Sequence, residues 1–167
     1  MWNSIDPDDS GAGADTTSIG MRSCLHYLGT HPEVYKRLQE EIDEFYEQNN
    51  LCEPVSYTQT QQMPYLKAVV MESLRLFPSI VYQLLRYSPD GGITIDNRYI
   101  PAGYHIGISP MAQNRDKDVF GEDANEFRPE RWLESAARSS FLESNNMTFG
   151  GNGSRTCVGR NIALVYI

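Results

Sequence analysis

Phe149-Gly-Gly-Asn-Gly-Ser-Arg-Thr-Cys157-Val-Gly159 runs directly into Arg160-Asn-Ile-Ala-Leu-Val-Tyr-Ile167, and this junction decides how the chain is read. The glycines allow tight turns and let the backbone approach a flat ligand closely. Ile162, Leu164 and Val165 give an apolar stripe, so a helix is expected to open just after Gly159. A cysteine at such an opening sits where backbone N–H groups and the positive end of the helix dipole favour its thiolate. Arg155, two residues before Cys157, can pair with an anionic group. Two readings of the segment fit: a loop that presents a thiolate, or a glycine-rich turn with an incidental, buried cysteine. A phosphate cradle does not fit, because the Walker spacing and its lysine are missing.

Working outward toward the amino end, Pro64-Tyr-Leu-Lys-Ala-Val-Val-Met-Glu-Ser-Leu-Arg-Leu-Phe77 predicts a helix opened by Pro64 and stopped by Pro78. Glu72 and Arg75 are three residues apart and share a face, so they can form a bidentate pair. On an exposed helix such a pair contributes only about 0.3–0.5 kcal/mol. The apolar residues around it (Leu66, Val69, Val70, Leu74, Phe77) point instead to a largely buried helix. Before it, Thr30-His-Pro-Glu33 is spaced as a capping box with proline in the first turn. Val34, Leu38, Ile42 and Phe45 then mark an amphipathic helix whose solvated face would hold Glu40, Glu41, Asp43, Glu44 and Glu47. Residues 49–62 read as a polar connection. Ala12-Gly-Ala-Asp15-Thr16-Thr17 opens a further helix ending near Gly29. Asp15 and Thr16 either cap its start or sit inside it as an acid–alcohol pair beside small residues, able to hold a small ligand and relay protons. Met1–Gly11 reads as a polar tail.

Between the buried helix and the glycine loop the pattern changes. Strands are expected at Val81–Tyr87, Ile93–Ile95, Arg98–Ile100 and Tyr104–Ile108, with Asp96-Asn97 as a two-residue hairpin turn. Met111–Asn146 shows little periodicity and reads as an ordered, meandering loop.

Composition narrows the class. The chain has 167 residues, 14 Lys plus Arg against 22 Asp plus Glu, and a net charge of −8, which fits one domain and argues against a basic nucleic-acid footprint. Three scattered cysteines (Cys24, Cys52, Cys157) make neither a disulfide framework nor a paired zinc site, and fit a reduced setting. His26, His31 and His105 lack metal-ligand spacing. No apolar run reaches the roughly 20 residues of a membrane span, and Met1–Ser10 has no signal-peptide core.

Taken together and in this order, the segments resemble the cytochrome P-450 superfamily of haem–thiolate monooxygenases. Ala12–Thr17 is similar to the oxygen-binding motif of its central helix, and Glu72-Ser-Leu-Arg75 to its Glu-x-x-Arg. Phe127-Arg-Pro-Glu-Arg131-Trp132 resembles the segment that brings a second arginine to that carboxylate, and Gly153-Ser-Arg-Thr-Cys157-Val-Gly159 the haem-ligand loop. The wording is closest to fungal-type members.

The resemblance implies a fold that is mainly α with a small antiparallel β-sheet. It would be a partial cytochrome P-450 fold over residues 12–167, shortened at both ends, behind a tail at 1–11. It implies oxidation of a small organic substrate by haem-activated dioxygen, with electrons from NADPH through a partner reductase. Cys157 would be the axial ligand of the haem iron, within a haem-binding loop that includes Phe149, Gly153 and Gly159. Arg155 and Arg86 would pair with haem propionates. Thr16 would hydrogen-bond the bound dioxygen, and Asp15 would help deliver protons. Glu72, Arg75 and Arg131 would form a buried structural triad, and Arg160 could face an acidic electron donor. Two departures from the family pattern stand out: Phe149 precedes Cys157 by eight residues, one more than usual, and Asn114 stands where histidine is common. Full-length relatives of this type sit on the endoplasmic reticulum membrane. The rival readings are a truncated, non-catalytic remnant and a haem-binding module without oxygenase activity.

Overall fold

The computed structural model describes residues 7–51 and 54–167, so Cys52 and Met1–Asp6 lie outside the described residues. Helix α1 runs over Pro7–Thr30 and α2 over Pro32–Gln48. The short α3 (Tyr57–Thr60) and the buried α4 (Pro64–Leu76) follow. Strands β1 (Arg86–Tyr87), β2 (Ile93–Ile95), β3 (Arg98–Ile100) and β4 (His105–Ile106) come next. Then come α5 (Pro110–Gln113), α6 (Lys117–Phe120), a 3-10 turn at Pro129–Trp132, α7 (Ala136–Asn145) and α8 (Arg160–Tyr166).

The mainly α fold holds, and several boundaries move. The expected tail at 1–11 is already helical from Pro7, because proline at the first helical position gives up an N–H that would have no intrahelical partner. Asp15 and Thr16 are therefore two turns inside α1, and the capping alternative fails. The Thr30–Glu33 capping box does not form. Thr30 Oγ1 bonds back to the His26 carbonyl at 2.9 Å, and His31 takes the cap position of α2 without a side-chain cap. A capping box forms instead in the supposed polar connection, where Ser56 and Gln59 reciprocate at the start of α3.

The single small sheet is two separate antiparallel ribbons, β1 with β4 and β2 with β3. The β2–β3 hairpin turns at Asp96 and Asn97, with φ of 48° and 59°, the left-handed pair that a tight hairpin needs. The expected strand over 81–87 shrinks to its last two residues. The expected loop 111–146 holds three helices and a 3-10 turn, each too short or too polar to show a period. Ser109, Asp116 and Ser135 cap α5, α6 and α7.

Packing is organised around α4, nine of whose thirteen residues are buried. Ala68 and Met71 face a cluster with Val119, Phe120, Ala124, Trp132 and Leu142, while Tyr65 and Val69 face Val34 and Leu38 of α2. Met63, the cap residue of α4, has no side-chain oxygen. Glu41 of α2 replaces it by accepting the Tyr65 and Leu66 N–H groups at 2.8 Å each. Glu41 is thus a cross-helix cap and not part of a solvated acidic face.

Tyr65 Oη donates to Glu130 Oε1 at 3.1 Å, and Arg37 lies 4.1 Å from the Tyr65 ring centre while pairing with Glu130 at 2.7 Å. Burial, and then the negative charge of Glu130, push the phenol up from 10.0 to about 12 against the pull of Arg37. The neutral phenol is the form the fold favours. Its contribution is therefore whole below pH 10.0 and is lost as pH rises through about 12. In a tyrosinate absorbance titration a late ionisation near 12 is expected, and Tyr65→Phe should remove it.

Candidate functional site

Three-residue spacing on α4 aims Glu72 and Arg75 into the interior, and both are fully buried with Arg131 of the 3-10 turn. Glu72 Oε1 accepts Arg75 Nη2 (2.8 Å), Arg131 Nε (2.9 Å) and the Arg128 backbone N–H (3.0 Å). Its Oε2 accepts Arg75 Nε (2.8 Å) and Trp132 Nε1 (2.9 Å). The remaining Arg75 protons go to the carbonyls of Asn114 (2.6 Å), Ala124 (2.7 Å) and Glu126 (3.2 Å). Those of Arg131 go to the Phe120, Asp123 and Glu126 carbonyls and to Asp123 Oδ1 at 3.1 Å. Both guanidiniums are fully spent on acceptors, which a buried cation requires.

One carboxylate cannot neutralise two cations, and Asp123 supplies the second charge. Partial burial pushes its carboxyl up, but hydrogen bonds from Arg128 and Arg131 and their charges outweigh this and hold it below its ordinary value. Arg128 and Trp132 are given no role of their own by the sequence beyond the Phe127–Trp132 segment, and Asp123, eight residues before Arg131, lies outside that segment and is brought to it by the fold.

Ser73, whose carbonyl accepts the Phe77 N–H at 2.9 Å, is the last residue of α4 served by its own turn, and the carbonyls after it need partners from outside. Side chains from elsewhere take them. Ser23 of α1 adds a second donor to the Ser73 carbonyl (3.0 Å), and Thr148 donates to Leu74 (3.1 Å), Asn114 to Arg75 (3.1 Å) and Arg115 to Leu76 (2.5 Å). The end of α4 therefore ties α1 and the approach to the glycine loop to one frame.

In that loop Gly150, Gly151 and Gly153 have φ of 84°, 75° and 132°, conformations closed to ordinary side chains. The Cys157 N–H returns to the Phe149 carbonyl at 2.9 Å, closing the loop on itself. Thr156 Oγ1 lies 2.7 Å from the Gly151 carbonyl and 2.9 Å from that of Gly153. The Cys157 thiol is exposed, two residues before the Gly159 cap of α8. Val158, Ile162 and Val165 lie at helical spacing and are exposed as well. The Phe149 ring lies 5.7 Å from the Arg160 guanidinium. Arg160 also approaches Glu143 at 3.9 Å, so it is engaged within the chain.

On α1, Thr16 Oγ1 donates to the Ala12 carbonyl (2.8 Å), while the Thr16 carbonyl accepts the Ser79 hydroxyl (2.6 Å). Asp15 is exposed. One turn on from Thr16 is Gly20, where an added Cβ would come within 2.8 Å of Ile167 Cδ1 and 3.1 Å of Leu74 Cδ2. Ile167, just past α8, thus packs on α1 at Gly20, where a larger residue would require its side-chain tip to shift, and this contact brings the cysteine helix against the Asp15–Thr16 helix. Arg155 is exposed and has no hydrogen-bond partner among the described residues, and exposed Arg86 bonds only to the Leu84 and Leu85 carbonyls.

Residues 9–167 match the family model for cytochrome P450. The chain belongs to the cytochrome P450 family. It is 40% identical over 163 residues to the cytochrome P450 monooxygenase ACRTS1 of Alternaria alternata, covering 98% of this chain and 42% of that protein. It is 41% identical over 155 residues to a pisatin demethylase of Fusarium vanettenii, with 93% of this chain and 29% of the relative aligned. The cytochrome P450 monooxygenase mpaDE of Penicillium roqueforti is 44% identical over 158 residues, 93% of this chain and 18% of its own length. The chain therefore spans less than half the length of these curated P450 relatives.

Whether the residues fit a haem can be judged from the donor set. An exposed thiol lies three residues before the start of α8, beside exposed Val158, Ile162 and Val165, on a loop turned by Gly150, Gly151 and Gly153. Val81, Tyr82, Leu84 and Leu85, between α4 and β1, add further exposed apolar side chains. A soft sulfur ligand with apolar surroundings suits an iron porphyrin.

Proposed function

We propose that this chain supplies the iron-ligand side of a haem–thiolate monooxygenase, which places one atom of dioxygen into a C–H bond of a small organic substrate. The observation that carries this reading is the exposed Cys157 thiol on a self-closed glycine loop, tied through α4 to the helix that bears Asp15 and Thr16. Bound there, haem supplies the oxygen-activating chemistry, which an axial thiolate promotes.

The chain's own residues do the rest. Cys157 Sγ is the ligand atom. Arg155 has no partner among the described residues and can turn toward a propionate carboxylate, Arg86 would do so on releasing the Leu84 and Leu85 carbonyls, and Phe149, Gly153 and Gly159 shape the loop. Thr16 Oγ1, oriented by the Ala12 carbonyl, keeps lone pairs for a proton donor, and Asp15 carries protons in from the exposed side of α1. Glu72, Arg75 and Arg131 hold the frame and touch no substrate. Electrons would come from NADPH through a reductase. The endoplasmic reticulum is the proposed location, and among the described residues no helix is long and apolar enough to cross a membrane.

The test is to load the protein with hemin, reduce it and add carbon monoxide. A red-shifted band typical of thiolate ligation is expected, and turnover with a reductase would exclude the non-catalytic remnant. A chain indifferent to hemin would overturn the reading. A haem-loaded chain without turnover would reduce it to a haem-binding module.

A further inference from the structure

Asn114 is completely buried at the C-cap of α5, far in sequence from the glycine loop. Its amide is used on both sides. Nδ2 donates to the Arg75 carbonyl at the end of α4 (3.1 Å) and reaches Thr148 Oγ1 at 3.5 Å. Oδ1 accepts the Met147 backbone N–H at 2.7 Å. Its own carbonyl accepts Arg75 Nη1 at 2.6 Å, so the residue is fixed by the buried ionic network from behind. Two residues after Met147, the Phe149 carbonyl accepts the Cys157 N–H. A short path of hydrogen bonds thus runs from the α4 terminus through one amide side chain to the backbone of the cysteine.

We infer that Asn114 is a positioning residue, whose side-chain amide sets where the loop carrying Cys157 is held relative to α4. The inference rests on the haem–thiolate reading for its purpose, since a ligand sulfur must be held at a fixed reach. A donor and an acceptor are both required, because the Arg75 carbonyl and the Met147 N–H are opposite in kind. A buried apolar side chain of the same size would leave both unpaired.

Amide hydrogen exchange on the whole chain tests this without haem. Asn114→Leu keeps the volume and removes the amide. The Met147 and Cys157 amides are then expected to exchange at least about tenfold faster, with the amides of α2 unchanged. Wild-type protection at Cys157 in this variant, or equal acceleration throughout α2, would overturn the inference. Should Asn114→Leu fail to fold, Thr148→Val decides. It removes the hydroxyl that meets Asn114 Nδ2 (3.5 Å), the Leu74 carbonyl (3.1 Å) and Asn146 Oδ1 (2.6 Å), and is expected to loosen the Cys157 amide in the same local way. An unaltered Cys157 amide there would also overturn the inference. In hemin-loaded protein the same variants should lower the thiolate-type share of the reduced carbon monoxide spectrum. A wild type indifferent to hemin would sink the haem reading alone, because the exchange result stands apart from it.

Discussion

Replacing Glu72 with glutamine is expected to lower the unfolding free energy by about 3–5 kcal/mol, a large fraction of what a domain of this size holds in reserve. The carboxylate receives five N–H donors from Arg75, Arg131, Arg128 and Trp132. A glutamine amide offers one oxygen, and its NH2 would face donors on the other side. Two fully buried guanidiniums would then share one partial counter-charge from Asp123, which is only partly buried. Removing one partner from a buried ionic cluster is far costlier than the cluster's net worth, since the remaining charges stay out of water. Urea unfolding followed by tryptophan emission is the measurement. A midpoint within error of wild type would show that the cluster is not the keystone of the packing. The same substitution should leave Cys157 chemically intact, which separates collapse of the frame from loss of the ligand.

Cys157→Ala is expected to show the reverse pattern. The side chain is exposed and holds no packing contact that the fold needs, so the unfolding free energy should move by no more than about 0.5 kcal/mol. In hemin-loaded protein, however, the red-shifted carbon monoxide band should vanish entirely, because alanine offers iron no donor atom. An unchanged band in the variant would refute Cys157 as the ligand. Comparing the two substitutions therefore divides the molecule into a frame, whose loss is thermodynamic, and a ligand, whose loss is spectroscopic.

Much of the arrangement was legible in the residues themselves. Proline marked the start of α2 and both limits of α4, the Val34–Leu38–Ile42–Phe45 spacing gave the buried face of α2, and Asp96-Asn97 gave the hairpin turn. Glu72 and Arg75 were legible because their partnership is local, one helical turn apart. Errors arose where a residue had a long-range partner or a dual meaning. Pro7 reads equally as loop punctuation and as a helix start. Glu41 looked solvated in a row of acids until α4 brought its orphan N–H groups within 2.8 Å. The helices between 110 and 145 escaped notice because four-residue elements have no measurable period and α7 buries only Leu142.

The family, and the chemistry proposed for the cysteine loop, were determined by sequence, since both reside in residue types at short, fixed spacing: glycines that permit left-handed turns, a cysteine before a helix, an acid three residues from an arginine. What only the tertiary structure decided is how these pieces are held together. The carbonyls at the end of α4 recruit Ser23, Thr148, Asn114 and Arg115 across 39 to 74 positions of chain. Buried polar groups must find partners wherever the fold delivers them, and that demand has no period and leaves no local pattern to read.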